Sequence, residues 1–390
     1  MDLGPVMKVL HVIPSLSRAD GGPTEALLLM ERALSARGIA VETATTDDDG
    51  PGLRNGKALA QPLAENGATH WYFAKRMDFY KPAPDFARWI AREAGRFDLL
   101  HIHALFSFTT GAAARAARRA NVPYVVRPMG SLNEYGMTQR RPWLKQMSMR
   151  LIDGPVLRHA AAVHFTSEAE AREASRWGVR MRPIVIPLGV ETPPAPSLRR
   201  TIASAQDKVH ALFLSRLDPK KNVESLLQAA ALLRGEFPGL HWTIAGSGAP
   251  DYVASLHALA RELALEKHVT WLGHIGGETK ARAFAAADLF VLPSYSENFG
   301  IAAAEALAHG LPCLLGEGVA IAQDVAQAGA GVTVTPDAAS VADGVRRIIG
   351  DALGDQAMAR CAQRLAVERF SAHAMGAALQ RLYSGCTAAS

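Results

Sequence analysis

The chain has 390 residues, of which 49% are hydrophobic and 20% are charged, and its formal net charge is +5. This composition is that of a folded globular protein and excludes a chain that is disordered throughout, while the length predicts two domains. The three cysteines, Cys313, Cys361 and Cys386, are too few and too far apart for a disulfide framework or a zinc knuckle. They fit a reducing cytoplasm.

The positive charge is concentrated in the first half of the chain. Residues 1–190 carry 25 basic and 18 acidic residues, whereas residues 191–390 carry 17 and 19. Much of the excess lies between Arg140 and Arg158, where basic residues interleave with apolar ones. Such a segment can lie on an anionic membrane surface, or it can be the solvated face of an ordinary helix. The weak overall charge, without a recognised motif, does not indicate nucleic-acid binding.

Strand-like apolar runs alternate with helical patterns along the chain. The first run, residues 8–14, ends at a proline without a cleavage site, and no stretch reaches transmembrane length, so it predicts a buried first strand. A helix is predicted over residues 22–38. Further strands of the first domain are predicted over residues 39–46, 98–104, 123–129, 161–167 and 182–189. This alternation predicts a parallel, doubly wound sheet.

A second series of alternating strands and helices follows a proline-rich stretch. The predicted organisation is a Rossmann-like domain over residues 1–191, a linker over 192–207, a second Rossmann-like domain over 208–369, and a helix over 370–390 that packs back on the first domain. In such folds ligands bind beyond the carboxyl ends of the strands, and we expect them in the cleft between the domains.

The run "SENFGIAAAEALAHGLP" places two glutamates, Glu297 and Glu305, at and within an otherwise apolar helix. Asn298 is predicted to cap that helix, and Gly300 lets the backbone approach a ligand. The free N–H groups of the first turn predict a phosphate site, with sugar hydroxyls accepted by the carboxylates on either side. Alternatively, Glu305 is exposed or paired internally.

The run "SRLDPKKN" follows the first strand of the second domain and supplies Arg216 and Lys221. Two cations at a strand end can neutralise a leaving diphosphate, so no metal is expected. The alternative is a basic loop that faces solvent.

Several residues in the first domain lie where a ligand is expected. Gly21 and Gly22 lie at the entrance to the first helix, where they admit a phosphate or form a tight turn. His101 and His103 share one face of a strand, and His103 is closer to its carboxyl end. Two histidines without a nearby carboxylate are a weak metal motif. The acidic run Asp47–Asp49 is predicted to be a solvated loop.

Taken together, these motifs resemble the retaining glycosyltransferases of family four, which have the GT-B fold. The resemblance is strongest in the spacing of Glu297 and Glu305 together with the Arg216–Lys221 loop, and it spans nearly the whole chain. It implies transfer of a sugar from a nucleotide sugar with retained anomeric configuration and without a metal.

The resemblance also implies residue roles. Glu305 holds the ribose hydroxyls, Glu297 contacts the donor sugar, and His103 lies near the reacting sugar. Arg216 and Lys221 stabilise the departing diphosphate. The remaining donor contacts that it implies are glycines, backbone amides and a nucleobase-contacting loop: Gly21, Gly22, Gly246, Ile275, Asn298, Phe299, Gly300 and Ile301.

The sequence departs from the family pattern in three places. Met129 stands where many relatives have a basic residue, Leu188 stands where asparagine is common, and residues 316–325 replace a glycine-proline-glutamate segment. These departures concern the sugar and the acceptor more than the class of reaction.

We therefore expect a cytoplasmic hexosyltransferase that binds a UDP- or GDP-sugar in its second domain and the acceptor mainly in its basic first domain. Its expected acceptor is a saccharide or lipid-linked saccharide, as in bacterial surface polysaccharide or glycolipid synthesis, with peripheral membrane contact through Arg140–Arg158. The rival is a non-catalytic protein that binds sugar nucleotides or anionic polymers. A nicotinamide-dependent dehydrogenase is disfavoured because Asp251 stands at the third glycine position of the motif begun by Gly246 and Gly248.

Overall fold

The computed structural model describes residues 6–17, 21–138, 141–193, 204, 207–353 and 356–388. The chain divides into two compact units, one formed by Met1–Gly189 with Ala372–Ser390 and the other by Val190–Ser371. The predicted boundaries, at 191 and 370, lie close to these divisions. Most of the predicted linker, 192–207, lies outside the described residues.

The first unit contains an eight-stranded sheet with the order β3-β4-β2-β1-β5-β6-β7-β8. Its strands are β1 Lys8–Val12, β2 Ala40–Thr46, β3 Pro62–Glu65, β4 Ala68–Phe73, β5 Leu99–His103, β6 Tyr124–Arg127, β7 Ala162–Phe165 and β8 Pro183–Val185. The prediction of a parallel, doubly wound sheet is confirmed for all neighbouring pairs except one. β3 and β4 form an antiparallel hairpin, which was not predicted.

That hairpin has a local cause. Asn66 and Gly67 connect the two strands with φ angles of 54° and 79°. Two consecutive left-handed residues form the turn whose twist matches that of antiparallel strands, and Asn-Gly is its commonest sequence. The signal was therefore present in the sequence.

Helices cover both faces of this sheet. They are α1 Gly22–Ser35, α2 Pro84–Glu93, α3 Phe108–Arg119, α4 Glu134–Thr138, α5 Pro142–Ser148, α6 Gly154–His159, α7 Glu168–Ser175 and the C-terminal helix Ala372–Ala388. A π-helical turn, Met149–Asp153, joins α5 to α6. In the described ranges no helix is both long and apolar enough to cross a bilayer.

The C-terminal helix packs on the first unit beside α1. Met375 and Leu379 are buried in the core that β1, β5 and β6 share with α1. The Tyr383 hydroxyl is hydrogen-bonded to His101 Nδ1 at 2.7 Å, and both residues are fully buried. The helix therefore has both apolar and polar contacts with the sheet.

The acidic run Asp47–Asp49 is not a solvated loop, and that prediction is wrong. Asp47 and Asp48 are buried. Asp48 accepts hydrogen bonds from Lys75 and Lys81, both at 2.5 Å, and Asp47 pairs with Arg54 at 2.8 Å. Cations brought in by later segments satisfy these carboxylates, and sequence proximity alone gave no sign of them.

The second unit contains a six-stranded parallel sheet with the order β11-β10-β9-β12-β13-β14. Its strands are β9 Val209–Leu214, β10 Leu240–Ala245, β11 Val269–Gly273, β12 Leu289–Leu292, β13 Cys313–Gly316 and β14 Gly331–Val334. Its helices are α8 Val223–Leu233, α9 Pro250–Glu262, α10 Gly277–Ala286, α11 Ile301–Ala308, α12 Ala322–Gln327, α13 Ala338–Leu353 and α14 Ala357–Leu365. The strand order reverses between β9 and β12, where ligands bind in folds of this kind.

We expect Tyr383→Phe to lower the apparent melting midpoint of the full-length protein. The change leaves the buried His101 Nδ1 without its partner, which costs about 1–3 kcal/mol. Differential scanning calorimetry measures the effect. Tyr252→Phe is the matched control because its hydroxyl bonds the partly exposed Glu224 at 2.9 Å. Equal midpoints for Tyr383→Phe and wild type would contradict this account of the C-terminal helix.

Candidate functional site

The loops that follow β9 and β12 are joined at the reversal of strand order. The Tyr295 N–H donates to the Lys220 carbonyl at 2.9 Å. The Asn222 side-chain amide donates to the Pro293 carbonyl at 3.2 Å, and Asn222 itself is buried with a φ of 55°. These bonds hold the Arg216–Lys221 loop against the start of the Glu297 loop.

Lys221 and Glu297 form an ion pair across these loops. The Lys221 Nζ donates to Glu297 Oε1, and the two side chains are 11% and 17% exposed. Both residues were predicted to act on the donor, and the structure brings them together. Because the Lys221 ammonium is in contact with the Glu297 carboxylate, each charge is partly neutralised by the other.

The backbone of Glu297 is held by the segment that follows β13. Its N–H donates to the Gly318 carbonyl at 3.0 Å, and its carbonyl accepts from the Ala320 N–H at 3.2 Å. A Cβ at Gly318 would lie 1.9 Å from the Tyr295 carbonyl oxygen, so only glycine fits there. Residues 316–325, which depart from the family pattern, therefore hold the backbone of Glu297 in place.

Gly300, and not Asn298, is the N-cap of α11, which corrects the predicted cap. Gly300 has a φ of 96°, and its carbonyl accepts from the N–H groups of Ala303 and Ala304 at 2.9 and 3.1 Å. Left-handed backbone at this position favours glycine. Phe299 is buried and packs edge-on against Phe370, so its side chain supports the loop from inside.

Glu305 lies on α11 and is paired internally. Its Oε1 accepts a hydrogen bond from Lys280 Nζ on α10 at 2.6 Å, and its side chain is 22% exposed. Oε2 makes no hydrogen bond with the residues that the structure describes. The second carboxylate oxygen is thus available to a hydroxyl group while the first is oriented by Lys280.

Arg216 and Gly246 lie at the carboxyl ends of β9 and β10. Arg216 is exposed and makes no ion pair or hydrogen bond within the described part of the chain. A Cβ at Gly246 would lie 1.8 Å from the Ser215 carbonyl oxygen, so this glycine is required by the approach of the two loops. Ile275 follows β11 and is partly exposed.

The glycines predicted for the first unit are at the start of α1. Gly21 is the N-cap, with a φ of 64°, and Gly22 is the first helical residue. The Thr24 hydroxyl donates to the Ser17 carbonyl at 2.8 Å and closes the turn. Residues 18–20 lie outside the described residues.

His103 is fully buried at the end of β5 and belongs to a cluster of four histidines. Its Nε2 lies 3.0 Å from His11 Nδ1, while His101 Nε2 lies 3.4 Å from His164 Nδ1. Burial, followed by the neighbouring His11 and Arg127, holds the pKa of His103 well below its usual range. His103 is therefore neutral near pH 7 and can both donate and accept a proton.

Ring nitrogens of His11, His101 and His103 all lie within 4.8 Å of one another, a spacing that could hold a metal ion. The charge around them opposes that interpretation. The Arg127 guanidinium is buried beside His11 and His103 and contributes to the lowered pKa of each. A fixed positive charge beside the cluster disfavours a divalent cation and favours an anion or a neutral ligand.

Two residues of interest were missed in the sequence. Lys280, the partner of Glu305, lies on a different helix, and nothing in its local pattern indicates that contact. Arg127 had a visible signal, because a charged residue at the end of an otherwise apolar strand is costly to bury.

Comparison with known proteins settles the family. The description "Glycosyl transferase 4-like domain" matches residues 21–189, and "Glycosyl transferases group 1" matches residues 195–365. The chain belongs to the group 1 glycosyltransferases. The resemblance inferred from Glu297, Glu305 and the Arg216–Lys221 loop is confirmed at the level of the family.

Two curated relatives of this group 1 glycosyltransferase differ in how much of the chain they cover. The D-inositol 3-phosphate glycosyltransferase of Arthrobacter sp. (strain FB24) is 32% identical over 235 residues, 56% of this chain and 54% of that protein. The GDP-mannose:cellobiosyl-diphosphopolyprenol alpha-mannosyltransferase of Komagataeibacter xylinus is 27% identical over 382 residues, 97% and 93% of the two chains. The chain spans about half the length of the first curated relatives that it matches.

Solved structures show the GT-B fold for this family member. Sucrose-phosphate synthase from Thermosynechococcus elongatus superposes with a TM-score of 0.76 at 21% identity, covering 98% of this chain and all of that one. HepE from Anabaena, in complex with UDP and glucose, gives 0.72 at 23% identity and covers 97% of this chain and all of that one. The predicted fold class is confirmed.

We expect Gly246→Ala to destabilise the protein by about 3 kcal/mol or more, because its Cβ would collide with backbone that cannot move independently. Gly350→Ala is the control, since Gly350 lies in α13 and a Cβ added there would meet nothing within 4 Å. Replacing a glycine inside a helix by alanine should leave the free energy of unfolding unchanged or raise it by up to about 1 kcal/mol. Chemical denaturation measures both, and equal stability of the two variants would contradict the close approach at Ser215.

Proposed function

We propose that this protein transfers a hexose from a nucleoside-diphosphate sugar to a saccharide acceptor with retention of anomeric configuration. The observation that carries the proposal is the joining of the Lys221 and Glu297 loops where the strand order reverses, in a chain of the group 1 family. Structures of HepE that contain UDP support a nucleotide-sugar donor.

The residues of the second unit have complementary roles in this proposal. The diphosphate of the donor is bound by Arg216 and Lys221, with Lys221 shared between Glu297 and the phosphate. The Glu305 Oε2 accepts a ribose hydroxyl, and Glu297 contacts the sugar. Two cations at the leaving group provide the charge stabilisation that a metal supplies in other enzymes, so the proposal requires no metal.

The proposed reaction proceeds on one face of the sugar. The bond from the anomeric carbon to the leaving phosphate oxygen breaks as the bond to the acceptor oxygen forms. The acceptor's hydroxyl proton passes to the departing phosphate oxygen. No carboxylate therefore acts as a covalent nucleophile, and the product keeps the configuration of the donor.

The acceptor is proposed to be a lipid-linked saccharide of bacterial surface polysaccharide or glycolipid synthesis, and the reaction is placed at the cytoplasmic face of a membrane. The name of the Komagataeibacter xylinus relative, which acts on a cellobiosyl-diphosphopolyprenol, supports this class. The segment from α5 through α6 supports it independently.

That segment carries an exposed apolar stripe. Trp143, Met147 and Leu151 follow one another at helical spacing and are 65%, 49% and 66% exposed. Arg150, which is also exposed, lies between Met147 and Leu151 in the sequence. Apolar residues flanked by cations match the interface of an anionic bilayer. Arg140, at the start of the predicted membrane segment, lies outside the described residues.

We expect one nucleotide sugar among UDP-, GDP- and ADP-sugars to raise the apparent melting midpoint without added metal. A ligand at about 100 times its dissociation constant stabilises by about 2.7 kcal/mol. Glu305→Gln and Arg216→Ala should each lose most of that shift. Glu262→Gln, an exposed position on α9, is the matched control and should keep it.

Turnover then separates the enzyme from the binding protein. The enzyme releases UDP or GDP in the presence of acceptor and in EDTA, and NMR of the product reports the anomeric configuration. A midpoint shift without turnover on any acceptor would favour the non-catalytic protein. A shift with NAD alone, or inversion in the product, would contradict the proposed reaction.

We expect Trp143→Ala with Leu151→Ala to weaken binding to vesicles that contain anionic lipid by about tenfold, because two exposed apolar side chains no longer enter the interface. Leu232→Ala is the control, since Leu232 is 57% exposed on α8 in the other unit. Cosedimentation with vesicles measures the effect. Equal binding of the double variant and wild type would contradict the membrane face.

A further inference from the structure

The first unit contains a group of buried polar atoms that have no hydrogen-bond partner among the described residues. They are His11 Nε2, Thr45 Oγ1, His103 Nδ1, Arg127 Nε and Arg127 Nη1. Buried polar groups in folded proteins are nearly always paired, so a concentration of unpaired ones in one region requires an explanation. These atoms come from four adjacent strands, β2, β1, β5 and β6.

Strand register places these residues on one face of the sheet. His103 is the register partner of Arg127, and His11 is the partner of His101, two residues before His103. Because side chains alternate along a strand, His11, His103 and Arg127 project on the same side. Further toward the amino ends this face is apolar, with Val9 and Leu99 in the core. The unpaired groups are therefore collected at the carboxyl ends of the strands.

Arg127 is the most costly member of this group. It is 3% exposed, and although burial lowers its pKa to about 10, it remains protonated at neutral pH. An unpaired cation in the protein interior is strongly destabilising. Such a charge is retained when a ligand supplies the missing counter-charge.

The carboxylate that acts on Arg127 electrostatically is already occupied. Glu170 Oε1 accepts from the Gly130 N–H at 2.8 Å, and Oε2 accepts from the Thr166 N–H and hydroxyl, both at 2.8 Å. The negative charge of Glu170 raises the pKa of Arg127 electrostatically, but the two side chains form no ion pair. Its hydrogen bonds hold the loops after β6 and β7 instead.

We propose that Arg127 and His103, supported by His11, form an anion site that binds a phosphate group of the acceptor. The assignment rests on the proposed function and on the expectation that the first unit binds the acceptor. A guanidinium presents several N–H donors in a planar fork that matches phosphate oxygens. The acceptor is then a phosphate ester, such as a glycosyl phosphate or diphosphate, and not a neutral sugar.

The pair of His11 and His103 can adapt to such a ligand. Only one proton lies between His11 Nδ1 and His103 Nε2, so the neutral pair has two tautomeric arrangements. An anion beside Arg127 favours the arrangement in which His103 Nδ1 carries a proton and donates. His11 acts through His103 and is a positioning residue.

The test compares phosphate binding to full-length wild type, Arg127→Gln and Arg216→Ala by calorimetry and thermal unfolding. The probes are inorganic phosphate, glucose 1-phosphate, glucose and UDP. We expect the two phosphates, but not glucose, to stabilise wild type and Arg216→Ala. In Arg127→Gln their affinity should fall at least tenfold while the response to UDP persists.

Stability without ligand gives a second readout. A binding role predicts that Arg127→Gln is at least as stable as wild type, because the variant removes an unpaired buried charge. A structural role predicts lower stability with phosphate affinity retained, which would overturn the proposal. If Arg127→Gln does not fold, Arg127→Lys keeps the charge without the fork and should bind phosphate more weakly than wild type.

Two further outcomes would also overturn the assignment. Joint loss of the UDP and phosphate responses in Arg127→Gln would assign Arg127 to the donor diphosphate. Stabilisation by Zn²⁺ but not by phosphate would assign the histidine cluster to a metal. Neither readout requires turnover, so the anion site can fail while the proposed transferase activity stands.

Discussion

The organisation of the second unit depends on the reversal of strand order between β9 and β12. Since both strands are parallel and adjacent, the loops that leave their carboxyl ends must occupy neighbouring space. Hydrogen bonds then fix their spacing, from the Tyr295 N–H to the Lys220 carbonyl and from the Asn222 side-chain amide to the Pro293 carbonyl. The Lys221–Glu297 ion pair is the consequence, because residues 76 positions apart in sequence reach one point only through this topology.

Sequence patterns predicted the parts of the fold that are governed by local chemistry. Alternating apolar runs indicated most strands of both sheets, and the α11 helix was predicted, although its N-cap is Gly300 and not Asn298. Predictions failed where distant residues decide the outcome. Asp48 was predicted to lie in a solvated loop and is instead buried with Lys75 and Lys81. The contact of Lys280 with Glu305 was not predicted, since the two residues lie on different helices. The turn at Asn66 and Gly67 is different, since its signal is local and was overlooked.

The charged residues proposed to bind ligands differ between the two units in burial and in ion-pair partners. In the second unit, Glu297 and Glu305 each have a lysine partner, and Arg216, which has no partner among the described residues, is exposed to solvent. None of these charges is both buried and unpaired, so none carries a large desolvation cost. In the first unit, Arg127 has no ion-pair partner among the described residues, and a ligand there adds an interaction without displacing one.

This contrast bears on how stability and binding are balanced in the protein. A buried, unpaired Arg127 lowers the stability of the first unit, and binding of the proposed anion would offset that cost. The apolar core below it, with Val9, Leu99 and Leu379, and the Tyr383–His101 bond at 2.7 Å supply the compensating stability. Packing of the C-terminal helix on this face thus adds stability to the same sheet that carries the buried cation at its strand ends.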